Sequence, residues 1–212
     1  MVLKLSLYDK IIPYSISYQL SVTLPIENRL LSLTKNGMKT LIVVAHPELT
    51  NSNVNKKWVD ELNQYPDKFT IHQLYQVYPD EKIDKEKEQK LIEAHDKLIL
   101  QFPMYWFNCP PLLKKWLDVV FTYGWAYGSK GNMLKDKKVA LGISAGISEE
   151  DFAVYNTPGC NIFDQLTSPF KATFTYTKSD YRSYFAFFDA NEPTVEKLES
   201  KAKEYVNFIL SL

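Results

Sequence analysis

The patterned part of the chain opens with Met38-Lys39-Thr40-Leu41-Ile42-Val43-Val44-Ala45 and continues with His46-Pro47-Glu48-Leu49-Thr50-Asn51-Ser52-Asn53. Residues 41–45 form an unbroken apolar run, which is typical of a strand buried on both faces of a parallel sheet. A polar loop follows and runs into a helix predicted at roughly 53–65. Strand, polar turn and helix in this order predict an α/β fold.

The same alternation continues along the rest of the chain. Further strands are predicted at residues 69–74, 98–102, 139–144 and 184–188. Further helices are predicted at about 85–95 with Asp84 as the cap, and after Pro110-Pro111, Asn161 and Pro193, although Pro169 weakens the third of these. In the last of them, Val195 is expected to face inward. Alternation of this length predicts a five-stranded, doubly wound parallel sheet with helices on both faces.

Composition excludes several classes of protein. The chain has 212 residues with 25 Lys and Arg against 25 Asp and Glu, so its balanced charge indicates neither a nucleic-acid partner nor an anionic membrane surface. Cys109 and Cys160 are far apart and in no metal-binding spacing, which predicts no metal, no disulfide framework and a reducing, cytoplasmic compartment. No stretch approaches the roughly 20 apolar residues that span a bilayer.

Residues 1–37 differ from the rest of the chain because they show no sustained hydrophobic period. We therefore expect the domain to comprise residues 38–212. The preceding segment is expected to be an extension that is poorly ordered or arises from a non-native, upstream start.

The loop after the first predicted strand contains His46 and the run Ser52-Asn53-Val54-Asn55. In a parallel sheet, ligands bind beyond the carboxyl ends of the strands. Amide groups at a helix N-terminus favour an anion, so this loop predicts a phosphate site. The alternative is simple helix capping by Asn51 or Ser52. The loop carries no GxGxxG or Walker A sequence.

Two further strand ends carry candidate ligand residues. Pro103-Met104-Tyr105-Trp106-Phe107 is aromatic and braced by nearby prolines, which suits a planar ring, unless the aromatic side chains all turn inward. Ser144-Ala145-Gly146-Ile147 is small enough to admit another group to its backbone amides. The aromatic, glycine-rich stretch around Tyr127 is expected to shape a pocket or reach a partner subunit.

Taken together, these loops resemble those of the flavodoxin-like NAD(P)H:quinone oxidoreductases. The resemblance covers about residues 38–212. It is strongest to the bacterial branch that contains general stress oxidoreductases and the ancillary flavoproteins of glutathione-gated potassium efflux systems. It rests on Ala45-His46-Pro47, Leu74-Tyr75-Gln76-Val77-Tyr78-Pro79-Asp80, Gln101-Phe102-Pro103-Met104-Tyr105-Trp106-Phe107, Pro110-Pro111-Leu112-Leu113-Lys114-Lys115-Trp116-Leu117-Asp118 and Gly124-Trp125-Ala126-Tyr127-Gly128.

The resemblance implies strand order 2-1-3-4-5 and a flavin, FMN rather than the alternative FAD. It implies that NAD(P)H delivers a hydride to the flavin, which then reduces a quinone or another small planar acceptor by two electrons. A homodimer is implied as well, because the family completes its pocket with a second subunit. The implied cofactor-binding residues are His46, Ser52, Asn53, Val54, Asn55, Pro103, Met104, Tyr105, Trp106, Phe107, Ser144, Ala145, Gly146 and Ile147.

The substrate pocket implied by the same reasoning contains Tyr105, Tyr127, Phe152 and Tyr155. No protein nucleophile is needed, because the cofactor carries the chemistry. The family usually places a glycine at position 147 and a Tyr at position 152, followed by a His that this chain lacks. Ile147 would be costly if its backbone required a positive φ. Tyr155 is the candidate substitute for the missing Tyr.

Two alternatives to the reductase remain open at this point. One is a regulatory subunit that binds a membrane transporter of the potassium efflux type. The other is a binding protein that has lost its flavin.

Overall fold

The computed structural model describes residues 38–159 and 161–212, so the predicted extension at residues 1–37 and Cys160 lie outside the described residues. The five strands are β1 Thr40–Val44, β2 Phe69–Gln73, β3 Lys97–Pro103, β4 Lys138–Ser144 and β5 Asp180–Phe187. The helices in this part of the chain are α1 Asn53–Leu62, α2 Leu74–Val77, α3 Lys85–Glu93, α4 Pro111–Val120, α5 Glu149–Ala153, α6 Ile162–Tyr176 and α7 Val195–Ser211.

The strands form one parallel sheet in the order β2-β1-β3-β4-β5, as predicted. Thr40 of β1 pairs with Phe69 on one side and with Lys97 on the other. Every residue of β1 and β3 is buried, which explains why the sequence shows these central strands as apolar runs. β5 begins four residues before its predicted start, because Arg182 and Ser183 are exposed on this edge strand and interrupt the apolar pattern.

The hydrophobic core has two layers, one on each face of the sheet. Leu41 and Val43 of β1 point to the layer formed by α3, α4 and α6. Ile42 and Val44 point to the layer formed by α1 and α7, where Trp58 stacks on Tyr205 with ring centroids 4.2 Å apart. The alternation of side chains along one strand therefore places helices on both faces.

Side-chain caps begin five of the helices. Ser52, Asp84, Ser148 and Thr194 each accept a hydrogen bond from the backbone N–H three residues further on, and Asn161 accepts one from Phe163. These bonds satisfy N–H groups that have no acceptor within their helix.

Helical details differ from prediction in four respects. α1 ends at Leu62 rather than at residue 65, in the turn that precedes Pro66. α6 runs unbroken through Pro169. Val195, predicted to face inward, is exposed in the first turn of α7. The short helices α2 and α5 were not predicted, because four or five residues are too few to show a period.

A buried carboxylate joins β2 to α3 and α4. Glu88 is fully buried and accepts hydrogen bonds from the Tyr78 hydroxyl at 2.6 Å and the Trp116 indole N–H at 2.8 Å. His72 Nε2 lies 2.9 Å from the same carboxylate, although the ring is not aligned for a linear hydrogen bond. Burial raises the pKa of Glu88, but these three contacts outweigh burial and hold the pKa below its ordinary value.

Replacing Glu88 with Ala should lower the free energy of unfolding by about 3 kcal/mol or more, because Tyr78 and Trp116 would keep buried donors with no acceptor. Urea denaturation followed by tryptophan fluorescence measures the change. Glu199→Ala, at an exposed position on α7, is the matched control and should change stability by less than about 0.5 kcal/mol. Equal effects of the two substitutions would contradict this account of Glu88.

Candidate functional site

Four strand-end loops surround a cleft of about 710 Å³ at the carboxyl edge of the sheet. Three of them are the loops predicted to bind ligand, and the fourth follows β5. This edge is where ligands bind in open α/β sheets. The cleft is lined by His46, Pro47, Glu48, Asn51, Ser52, Asn53, Pro103, Met104, Tyr105, Ser144, Gly146, Ala190 and Asn191.

One end of the cleft is the N-terminus of α1. The loop after β1 forms a short 3₁₀ turn at Leu49–Asn51, and the Ser52 hydroxyl then accepts from the N–H of Asn55 at 3.0 Å. The N–H groups of Asn53 and Val54 lie in the first helical turn, where no intrahelical acceptor is available. Capping by Ser52 therefore leaves these two N–H groups available to an anion.

His46 adds a neutral hydrogen-bond donor to this end of the cleft. Burial lowers the pKa of His46, and the charge of Glu48 opposes this shift only in part. The ring Nδ1 accepts from the N–H of Glu48 at 3.1 Å, which leaves the proton on Nε2. The imidazole is therefore uncharged at neutral pH and can donate one hydrogen bond.

Two residues predicted in the phosphate site have side chains that do not line the cleft. Val54 is buried in the α1–α7 core layer, so it can offer only its backbone N–H. Asn55 is buried as well, and its side-chain amide donates to the Ser144 hydroxyl at 2.7 Å. Gln101 of β3 donates to the Asn55 carbonyl at 3.1 Å. Asn55 thus connects α1 to β3 and β4 beneath the cleft.

The aromatic loop after β3 is a tight turn in an unfavourable backbone conformation. Tyr105 and Asn108 exchange backbone hydrogen bonds of 2.9 and 3.0 Å, and Trp106 and Phe107 between them have φ of +47° and +61°. Two central residues with positive φ define a type I′ turn, which usually carries Asn or Gly. Bulky residues held in this region are a feature of functional sites.

The three aromatic side chains of this turn point in different directions. Tyr105 lines the cleft beside Met104 and above the buried Pro103. Trp106 is 94% exposed, and Phe107 packs against Phe152 and Tyr155, so neither lines the cleft within one chain. The alternative that all three turn inward is therefore wrong.

Only part of the loop after β4 lines the cleft, and the rest of it is buried or packs against the core. Ser144 and Gly146 line the cleft, whereas Ala145 is buried and its N–H donates to the Phe187 carbonyl at 2.8 Å. Ile147 does not have a positive φ, so the cost considered for a β-branched residue there does not arise. Its side chain packs against the core, and its carbonyl accepts from the Asp189 N–H at 3.0 Å.

The predicted substrate-pocket residues do not converge within one chain. Tyr105 lines the cleft, but Phe152 is buried, and Tyr155 is exposed and does not line the cleft. The ring of Phe107 lies 6.1 Å from that of Phe152 and 5.9 Å from that of Tyr155. Tyr127 lies in a separate cleft of about 480 Å³ between α4 and α6, with its ring 5.4 Å from that of Tyr176.

Ala190 and Asn191 are cleft residues that sequence reasoning missed. They follow β5, and the strand-end rule that identified the other loops would have identified this one. The described residues contain no cluster of His, Cys, Asp and Glu that could hold a metal. Among the same residues, no helix is both long and apolar enough to cross a membrane.

Comparison with known proteins establishes the family. The profile of the flavodoxin-like fold family matches residues 38–209, and the chain belongs to this family. It is 41% identical over 177 residues to an uncharacterized NAD(P)H oxidoreductase of Bacillus subtilis (strain 168), YdeQ, covering 82% of this chain and 88% of the relative. It is 36% identical over 170 residues to KefF of Enterobacter sp. (strain 638), a glutathione-regulated potassium-efflux system ancillary protein, covering 80% and 94% of the two chains.

Solved structures give the same result. General stress protein 14 of Treponema denticola, in complex with FMN, is similar with a TM-score of 0.76 and 48% identity, covering 82% of this chain and 98% of the other. An NADPH-quinone reductase from P. pentosaceus is similar with a TM-score of 0.70 and 29% identity, covering 81% and 97%.

Asn55 and Asn53 form a matched pair for a stability test. Asn55→Ala should lower the free energy of unfolding by about 1–3 kcal/mol, because it removes a buried hydrogen bond and leaves the Ser144 hydroxyl without its partner. Asn53→Ala, two residues away, removes only an exposed hydrogen bond to the Asn191 carbonyl and should cost about 0.5 kcal/mol. Both are measured by urea denaturation without added flavin, and a similar cost for the two would argue against Asn55 as a buried connector.

Proposed function

We propose that this chain is an FMN-dependent NAD(P)H oxidoreductase that reduces quinones or similar planar acceptors by two electrons. The observation that carries the proposal is the cleft itself, which places a helix N-terminus at one end and an aromatic turn at the other. Similarity to an FMN-bound protein, to NAD(P)H oxidoreductases and to a quinone reductase supports it.

The residues in the cleft suit FMN. The N–H groups of Asn53 and Val54, the Ser52 hydroxyl and neutral His46 are donors that match a phosphate. Met104 and Tyr105 offer flat, apolar surface for the ring, and Ser144 and Gly146 offer a polar edge. Trp106, Phe107, Ala145 and Ile147 shape these loops from outside the lining.

Bound FMN would accept a hydride from NAD(P)H and pass two electrons to the acceptor. The protein's part is to bind, orient and shield the reactants, and we assign no residue a catalytic role. Tyr155, the candidate substitute for the family's Tyr, lies beside Phe107 rather than in the cleft lining.

A homodimer would bring together the aromatic residues that one chain leaves apart. Trp106 is 94% exposed, Tyr123 71% and Tyr176 68%. These residues lie on the aromatic turn, on the loop after α4 and on α6, around the second cleft that contains Tyr127. Clusters of exposed aromatic side chains mark protein interfaces. A partner's Tyr127 loop is therefore proposed as the missing wall of the substrate pocket.

Control of a potassium efflux transporter is the alternative function. The similarity to KefF is its support, and no surface among the described residues adds to it. We propose a cytoplasmic location on the cysteine usage and apolar pattern of the sequence.

The direct test is an absorbance spectrum of the purified protein with FMN, followed by anaerobic addition of NADH or NADPH. We expect flavin bands that bleach on addition of nucleotide and return when 1,4-benzoquinone is added. FMN should bind at least about tenfold more tightly than riboflavin, because riboflavin lacks the phosphate that the α1 N-terminus favours. A protein that binds no FMN, or binds FMN that neither nucleotide reduces, would overturn the proposed function.

Light scattering during gel filtration tests the dimer. The wild-type protein should elute with twice the 24.6 kDa mass of the chain. Tyr123→Asp and Tyr176→Asp should shift the protein towards the monomer, because a carboxylate buried at an aromatic interface without a partner is unfavourable. Lys203→Asp, at an exposed position on α7, is the control and should leave the mass unchanged. A wild-type monomer at micromolar concentration would contradict the proposal.

A further inference from the structure

The loop after β5 is fixed to the loop after β4 by backbone hydrogen bonds. The Asp189 N–H donates to the Ile147 carbonyl at 3.0 Å, and the Ala190 N–H donates to the Ala145 carbonyl at 2.9 Å. The Asp189 carboxylate also pairs with Lys197 at 2.6 Å. These contacts continue the β4–β5 pairing past the end of the strands, so the next residue, Asn191, has a defined place in the cleft.

Asn191 contacts the α1 end of the cleft and the loop after β4. Its backbone carbonyl accepts from the Asn53 side chain at 3.1 Å, and Asn53 is the first residue of α1. On the opposite side, the Asn191 side chain approaches Gly146 closely. A Cβ added to Gly146 would lie 2.6 Å from Asn191 Nδ2 and 2.9 Å from both Cγ and Oδ1. Asn191 therefore lies between the anion-binding helix terminus and the loop at the polar edge of the proposed ring site.

The Asn191 carboxamide is available to a ligand. The backbone oxygen of Asn191 accepts the hydrogen bond from Asn53. Within the part of the chain that the structure describes, the Asn191 side chain makes no hydrogen bond. The side chain is exposed to the cleft and offers two N–H donors and one carbonyl acceptor. A backbone that is tied down and a carboxamide that is free together suit recognition of hydroxyl groups, which both donate and accept.

We propose, on the basis of the flavin-binding function above, that Asn191 is a positioning residue that hydrogen bonds to the ribityl hydroxyls of the flavin. The ribityl chain joins the phosphate to the ring. A group held midway between Asn53 and Gly146 must therefore face this chain when the phosphate lies at α1 and the ring lies against the aromatic turn.

Asn191→Ala tests the proposal through binding rather than turnover. Flavin-free protein is titrated with FMN, riboflavin and lumiflavin, and the change in flavin fluorescence gives each dissociation constant. The constants for FMN and riboflavin should rise together, by about fivefold to tenfold. Lumiflavin has no ribityl chain, so its constant should not change. Asn207→Ala, at an exposed position on α7, is the matched control and should leave all three constants unchanged.

The outcomes separate this proposal from the proposed function. Wild-type protein that binds none of the three flavins overturns both. Normal binding by the wild type together with unchanged FMN affinity in Asn191→Ala overturns the role of Asn191 alone. An equal loss of lumiflavin affinity also overturns it, because that loss would place the contact on the ring.

A second variant tests the contact with Gly146. Gly146 does not have a positive φ, so alanine fits its backbone, but the new methyl group would displace the Asn191 carboxamide. Gly146→Ala should therefore weaken FMN binding in the wild type and have no further effect in the Asn191→Ala background. Additive losses in the double variant would show that position 146 acts without Asn191 and would overturn the proposed arrangement.

Discussion

The structure depends on the pairing of β1 with β3 at the centre of the sheet. Both strands are buried along their whole length, and each face of β1 supplies apolar side chains to a different core layer. A strand buried on both faces must satisfy its backbone through its neighbours, which fixes the parallel register. Because all five strands are parallel, all five carboxyl ends meet at one edge. The cleft is a consequence of that geometry.

Polar contacts beneath the cleft convert this edge into a site of fixed shape. Asn55 joins the first turn of α1 to Ser144 at the end of β4, and Gln101 supports it from β3. The same asparagine that resembles a phosphate ligand in the sequence is thus buried as a connector. Its bonds position Ser144 and the α1 terminus relative to each other, so the α1 end of the cleft and the loop after β4 are linked through the core.

Sequence reasoning succeeded where burial on both faces makes the pattern continuous. Central strands, the strand order implied by the family resemblance, and capping by Ser52, Asp84 and Asn161 all appear in the structure. The prediction failed where the burial of a residue depends on its neighbours in the fold. β5 is an edge strand with exposed polar residues, and Val195 has an apolar side chain that nothing in the fold covers. Asn191 was missed because a single asparagine has no pattern of its own, and only its place after the end of β5 points to the cleft.

The sequence by itself determined the doubly wound sheet, the sheet edge that carries the cleft and three of the four loops that line the cleft, because hydrophobic period and chain order encode these features locally. Only the tertiary structure decided which side chains face the cleft. Val54 and Asn55 turn into the core, Ile147 avoids a positive φ, and Tyr127 belongs to a different cleft. The physical reason is that a side chain's direction depends on the groups packed against it, and those groups come from distant parts of the chain.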